Sequence, residues 1–418
     1  MVDKYFCGID FGTSNSAMSV GSANGTSLVP LEESHVTIPS AIFFNTEENQ
    51  TSFGRKGMKE YLVGYEGRLL RSLKSVLGSE LISEATQVGR RKLPFRDIIG
   101  MFIGHIKKQG EIHVGAEISD VVMGRPVHFV DGDEAADCRA QTELEAIARA
   151  QGFKNIHFEY EPLAAARDYE STIGKEEIVL VFDIGGGTSD FSVVRLSPSA
   201  KKKADRQKDI LANEGIHIGG TNFDQKLSLE TVMKDLGYQT KLKSGLDMPR
   251  APYLELSTWH LINFLYTQKA ISEMKSLLPL LEERSMIERF IRIQETQRGH
   301  EIVGKVEEAK IALSENKKHR IDLSDIEQGW HKEITVQSLH KAIDGEIDRI
   351  VAVAKDTVDK AGLKSDQINA IFMTGGSTGL PGFELNIRKA FASSQIQYGD
   401  RFSSVAKGLG LAAADQFL

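Results

Sequence analysis

The chain of 418 residues carries only two cysteines, Cys7 and Cys138. Two in a chain this long make no disulfide framework, and they point to a reducing, cytoplasmic setting. Cys7 lies in a strand-like run and reads as a small core residue. Long apolar runs are missing too. None could span a bilayer, and the start "MVDKYFCGID" lacks the apolar core of a signal peptide, so no membrane partner is expected. Positive charge is not in excess. The formal net charge is −7, which argues against a broad nucleic-acid or anionic-membrane surface. The eleven histidines show no H-E-x-x-H or paired ligand spacing, so a structural zinc is not expected. No G-x-x-x-x-G-K-[ST] occurs, which excludes a P-loop.

Two short motifs fail on context. "GGSTG" at 375–379 fits the G-x-S-x-G of a hydrolase nucleophile elbow, but that order needs a histidine downstream, and the last one, His340, precedes Ser377. "GLGLAA" at 408–413 fits G-x-G-x-x-A, but it stands where no βαβ unit can follow.

What is present alternates strands, tight turns and helices. "YFCGID", "SAMSVGS" and "TSLVPL" read as strands, with Asn24-Gly25 as a hairpin turn. "TIPSAIFFN" reads as one more strand. "EGRLLRSLKSVLG" and "FRDIIGMFIGHIKKQG" have helical spacing. "ISDVVMGRPV" and "IHFEYEP" read as strands, and "DEAADCRAQTELEAIARAQGF" and "LAAARDYE" as helices. From residue 178 the opening pattern restarts with "EIVLVFDIGGGTSDFSVVRL". The lysines at 201–203 read as a solvated loop. Residues 238–306 read as two or three helices inserted in the second half. "VQSLHKAIDGEIDRIVAVAKDTVDKAGL" reads as a long amphipathic helix stopped by Gly362.

The restart places "GIDFGTSNS" at 8–16 beside "VFDIGGGTSD" at 181–190. Each copy is a strand, an aspartate and a glycine turn. Backbone N–H groups and hydroxyls in such turns can close on phosphate oxygens. The carboxylates of Asp10 and Asp183 would repel phosphate unless a cation lies between. Magnesium is usually held by one or two carboxylates plus substrate phosphates. Two such turns, with a third at "FMTGGSTGLPGF", therefore imply a Mg²⁺–polyphosphate clamp shared by two lobes of common ancestry.

These residues resemble the nucleotide-binding domain of DnaK-type heat-shock chaperones, within the actin-like ATPase superfamily, and look most like its YegD-like subfamily. "GIDFGTSNS" and "VFDIGGGTSDFSVV" look like the two phosphate loops, and "IHFEYEPLAAARDY" like the connecting strand and helix. "IHIGGTNFDQKL", "VEEAKIALSE" and "FMTGGSTGLPGF" look like the adenosine-binding segments, and "SSVAKGLGLAAA" like the closing helix. The matches run in order from residue 5 to near 414.

The resemblance implies an α/β actin-like ATPase fold. Two lobes, each on a duplicated mixed sheet with flanking helices, would surround a central nucleotide cleft. Lobe I would be residues 1–172 plus 395–418, and lobe II residues 173–394, with the helical insertion near 238–306. ATP or ADP with Mg²⁺ would bind, and K⁺ could join them. Asp10, Asp183 and Asp190 would serve the metal. Gly12, Thr13, Ser14 and Asn15, with Gly185, Gly186, Gly187 and Thr188, would wrap the phosphates. Lys74, Glu161, Asp183 and Thr188 would be catalytic, with Lys74 on a basic helix. Gly219, Gly220, Glu307, Lys310, Ser314, Gly375, Gly376 and Ser377 would enclose the nucleoside.

Two departures qualify this. The chaperones sandwich adenine between two arginines, and the matching positions here are Ile311 and Gly379. The resemblance covers the nucleotide-binding part of those chaperones and not their peptide-binding domain or linker, so it implies no peptide-refolding cycle. The leading reading is a monomeric, chaperone-like weak ATPase whose nucleotide state closes its lobes and switches a protein partner, with the insertion as a partner surface. A small-molecule kinase of the same superfamily and a non-hydrolysing nucleotide sensor or filament-forming scaffold stand as alternatives.

Overall fold

The computed structural model describes residues 4–130, 132–199, 206–400 and 403–418; the lysine run at 201–203 lies outside them. The chain forms two compact units. One comprises Met1–Gly215, Ala354–Thr378 and Phe391–Leu418, and the other Ile216–Val353 and Gly379–Ala390.

The first unit contains two sheets with one topology. In the first, Phe6–Phe11 is parallel to Asp120–Arg125, which is parallel to Asn155–Tyr160. On its other side Phe6–Phe11 makes an antiparallel hairpin with Asn15–Ser22, followed by Gly25–Leu28. In the second, Glu177–Ile184 is parallel to Ala370–Thr374, which is parallel to Gln395–Tyr398. On its other side it makes an antiparallel hairpin with Ser189–Leu196, and Ile210–Ile216 is the outer strand. The repeat seen in the sequence is thus a repeat of sheet architecture.

The central strands are apolar on both faces, as sheets covered on both sides require. Phe6, Cys7, Ile9 and Phe11 are fully buried, as are Val179, Leu180 and Phe182. One core cluster joins Ile9, Phe11 and Met18 to Ile98, Phe102 and Ile106 of the helix Phe95–Val114. A second spans both sheets. It packs Phe6 and Val122 with Val179, Val181 and Phe372 around the helices Glu161–Glu170 and Ser404–Phe417. The glycines of "GLGLAA" act here. A side chain at Gly8 would lie 2.7 Å from Leu409 Cβ, one at Gly408 would overlap the Ala164 carbonyl, and one at Gly410 the Ser19 hydroxyl. They let the last helix lie against strand and helix backbone. Cys7 is buried in this unit, as its strand position suggested.

Two expectations are corrected here. Residues 66–78 are not a helix. Gly67–Arg71 is a strand paired antiparallel with Ala41–Asn45, and Leu73–Val76 is a single 3₁₀ turn. Ser72, at φ 57°, separates them. Leu69, Leu73, Val76 and Leu77 have helical spacing, but the edge offered by Ala41–Asn45 captures the first part. "TIPSAIFFN" is not one strand either. It breaks at Ser40 into Thr37–Pro39 and Ala41–Asn45, which join different sheets.

In the second unit, the helices Ala251–Leu256, Gln268–Leu277 and Ser285–Glu295 occupy the expected insertion. The helix Gly299–Ala312 starts inside it and runs on through residue 306. Tyr253 and Phe290 are buried in edge contact at 5.2 Å, and the Tyr253 hydroxyl donates to the Leu236 carbonyl. The long helix is Val336–Lys360, and Gly362 follows at φ 72°. Among the described residues, no helix is long and apolar enough to cross a membrane.

Candidate functional site

Both aspartate turns lie in the first unit. Asp10, next to last on its strand, pairs with Ala17, and Asp183 pairs with Asp190 on one side and Thr374 on the other. Hairpin geometry therefore fixes each carboxylate at the mouth of its turn. The Gly185 N–H donates to the Thr188 carbonyl at 2.9 Å, closing the second turn, and the Thr188 hydroxyl donates to Asp190 Oδ2 at 3.0 Å. The first turn is braced by Ser40. Its hydroxyl donates to the Gly12 carbonyl at 2.6 Å, and its N–H to the Ser14 carbonyl at 2.9 Å. This explains the break in "TIPSAIFFN".

The two turns face each other. A side chain on Gly186 would strike the Ser14 hydroxyl. The third turn packs on the second. Gly375 has φ 87°, a Cβ there would lie 2.7 Å from Asp183 Oδ1, and the Ser377 hydroxyl donates to the Gly185 carbonyl at 3.3 Å. Gly187 differs: among the described residues, none beyond its two chain neighbours comes within 4 Å of where its Cβ would be. The protein's own packing does not require glycine there. A bare backbone at that point leaves room for a ligand to approach the turn.

Lys74 enters from the 3₁₀ turn and Glu161 from the first residue of its helix. Lys74 Nζ donates to Glu161 Oε1 at 2.5 Å, and both side chains are largely buried. Gly124 makes room for the carboxylate, since a Cβ there would lie 3.2 Å from Glu161 Cγ. Burial, then Glu161 and Asp183, push the Asp10 carboxyl up to about 8, against the pull of Lys74. Burial, then Asp190 and Glu161, push Asp183 up to about 7, again against Lys74. Burial disfavours the Lys74 ammonium, but Glu161, Asp10 and Asp190 outweigh it and raise its pKa.

Lys74 is thus coupled to four carboxyl groups, and the raised Asp10 and Asp183 reflect negative charge that one ammonium does not offset and a further cation would. Among the described residues no three His, Cys, Asp or Glu side chains form a direct metal cage. A donor set of separated carboxylates beside open backbone turns suits Mg²⁺, which keeps several waters and shares phosphate oxygens.

Asp10, Lys74, Glu161, Asp183 and Asp190 are brought together here, with the turns at Gly12–Asn15, Gly185–Thr188 and Gly375–Ser377. Gly219, Gly220, Glu307, Lys310 and Ser314 belong to the second unit. There the Lys310 ammonium is buried against Asp224, 2.8 Å from Oδ1 and 2.9 Å from Oδ2, and donates to the Gly220 carbonyl at 3.1 Å. Burial raises Asp224 to about 6; Lys310 opposes this and Glu307 adds to it. Ile311 is 59% exposed.

Asp224 and Ser40 are the residues that sequence reasoning missed. Asp224 stands in the quoted "GGTNFDQKL", and an acid one turn inside a glycine-started helix was the available signal. Ser40 had a weaker one, a lone hydroxyl interrupting an apolar strand.

A family model described as Hsp70 protein matches residues 6–251 and 283–414. The residues between the two matched stretches, 252–282, fall inside the helical insertion. With two sheets of one topology and facing aspartate–glycine turns, the chain belongs to the Hsp70 family, has the actin-like ATPase fold, and is an ATP-binding, chaperone-like protein.

Proposed function

We propose that the chain binds Mg²⁺-ATP and hydrolyses it slowly, with nucleotide state opening or closing two lobes and so switching a protein partner. The observation that carries this is the convergence of Asp10 and Asp183, both with raised pKa, with Lys74 and Glu161 beside open glycine turns. Mg²⁺ would neutralise phosphate charge, and Asp10, Asp183 and Asp190 are the residues to hold it through water. The backbone at Thr13, Ser14, Asn15 and Gly185–Thr188 would bind the phosphates. Lys74 would stabilise charge on the terminal phosphate, and Glu161 would orient or deprotonate the attacking water. Positioning and charge neutralisation supply most of phosphoryl-transfer catalysis, so this set is sufficient.

Gly219, Gly220, Glu307, Lys310, Ser314, Gly375, Gly376 and Ser377 would enclose the nucleoside. The lobes would be residues 1–172 with 395–418, and 173–394. The partner surface would lie in the insertion near 238–306, K⁺ would sit near Asp190, and the chain would act as a cytoplasmic monomer.

The test is ATP binding and turnover with and without Mg²⁺, in the native chain and in Asp183→Asn. Mg²⁺-dependent binding and slow turnover, both weakened in Asp183→Asn, are expected. Absence of nucleotide binding by the native chain would sink the proposal. Binding without turnover would favour a sensor, and turnover only with an added sugar or acid would favour a kinase.

A further inference from the structure

Arg125 ends the strand Asp120–Arg125, one residue after the Gly124 that accommodates Glu161. Its side chain is 12% exposed, and all three guanidinium nitrogens donate. Nε donates to the Pro126 carbonyl at 3.0 Å, and Nη2 to the Val127 carbonyl at 3.1 Å and to Asp137 Oδ2 at 2.7 Å. Nη1 donates to Gln141 Oε1. Asp137 Oδ1 also accepts the Phe129 N–H, so the loop after the strand is tied to the helix Glu134–Ala150. The guanidinium carbon lies 5.4 Å from the Phe129 ring centre and 5.1 Å from that of Tyr160.

Tyr160 connects this cluster to the site. It is the last ladder partner of Arg125 and the residue immediately before Glu161. It occupies the N-cap position of the Glu161 helix, where its side chain makes no cap hydrogen bond and Pro162 stands in the first turn. Without a side-chain cap, the entry of a helix depends on its other contacts. The Arg125 guanidinium over the Tyr160 ring adds such a contact at that point. A planar guanidinium can stack on a ring while donating in its plane, which a lysine cannot do.

The structure assigns to Arg125 the role of a positioning residue. Through Tyr160 it sets where the Glu161 carboxylate stands, and hence the Glu161–Lys74 contact. The catalytic part of this role rests on the proposed ATPase; the restraint on the Tyr160–Glu161 backbone does not.

Arg125→Met and Arg125→Lys separate the two. Hydrogen exchange on the nucleotide-free protein should quicken at the amides of residues 165–168, the first with helical hydrogen bonds, in both variants and stay unchanged in Phe6–Phe11. With Mg²⁺-ATP, kcat should fall about tenfold while ATP affinity stays within about twofold, since small misplacements of a catalytic group cost rate rather than binding. Arg125→Met should cost no further rate in a Glu161→Gln background. Unchanged exchange at 165–168 would overturn the assignment, as would an undiminished effect of Arg125→Met on Glu161→Gln, or equal losses in rate and affinity. A native chain that does not turn over ATP would defeat the ATPase reading, and exchange would still decide whether Arg125 holds Glu161.

Discussion

Lys74 Nζ lies 2.5 Å from Glu161 Oε1, on side chains that come from a single 3₁₀ turn and from the first residue of a helix. Neither element could fix such a contact alone; the strand before Lys74 and the ladder before Glu161 do so. Lys74 is also an ammonium that Asp10, Glu161 and Asp183 share. Lys74→Ala is therefore expected to lower Mg²⁺-ATP turnover by roughly 10²-fold, the scale seen when one preorganised charge-stabilising donor is removed. ATP binding should change far less, because the backbone turns remain. Single-turnover hydrolysis beside equilibrium binding measures both. A rate within a few-fold of native would remove Lys74 from the mechanism.

The raised carboxyls give a pH dependence of definite sign. Asp10 stands at about 8 and Asp183 at about 7, each above an ordinary 3.8. Between those limits the folded protein keeps protons that the unfolded chain has released. Stability from these groups is full below about pH 4 and is lost as pH rises through about 7 to 8. The slope is at most about 1.4 kcal/mol per pH unit for each group. The nucleotide-free protein should accordingly unfold in less urea at pH 8 than at pH 6. Asp183→Asn should narrow that difference and stabilise the protein at pH 8. Native and variant midpoints that track each other across this range would contradict it.

The glycines of the second phosphate turn separate packing from ligand binding. A methyl group on Gly186 would lie 2.4 Å from the Ser14 hydroxyl, whereas at Gly187 no described residue beyond its chain neighbours comes within 4 Å. Gly186→Ala should destabilise the folded chain by about 1–3 kcal/mol through overpacking. Gly187→Ala should leave stability within about 0.5 kcal/mol. Its ATP affinity should nevertheless fall at least about tenfold, since a methyl group would intrude where backbone meets phosphate. Thermal unfolding and nucleotide titration on the two variants give the comparison. Equal ATP affinity in Gly187→Ala and the native chain would mean that phosphate does not approach this turn.

The aspartate turns were legible because each is one local unit of strand, acid, glycines and strand. Hairpin register then carries Asp10 and Asp183 to fixed places, and the matching strand orders of the two sheets extend the same repeat. Lys74 was identified as a residue and misplaced as to its element. Its neighbours Leu73, Val76 and Leu77 look helical, and nothing local shows that Gly67–Arg71 is drawn into a ladder with Ala41–Asn45. Ser40 was lost for a related reason, since its partner Gly12 lies 28 residues away. Arg125 and Asp224 act through packing and charge contacts that form only on folding. Periodicity and motifs report the first few neighbours of a residue, and these functions depend on distant ones.

Asp224 and Lys310 bury an ion pair inside the second unit, with both side chains 8% exposed. Removing one partner leaves the other charge buried and uncompensated, at a cost of about 3–5 kcal/mol. Lys310→Met is therefore expected to destabilise the protein by that order at pH 8. The loss should shrink toward pH 5, because Asp224, already raised to about 6 with Lys310 present, takes up a proton once the ammonium is gone. Replacing both, as Asp224→Leu with Lys310→Met, removes both desolvation costs and should recover most of the stability. If Lys310 also reaches the nucleoside, the double variant will fold well and still bind ATP more weakly than native. Urea unfolding at the two pH values and nucleotide titration of the double variant test the two roles separately. Native affinity in a stable double variant would confine Lys310 to holding the helix Gly299–Ala312 against Asp224.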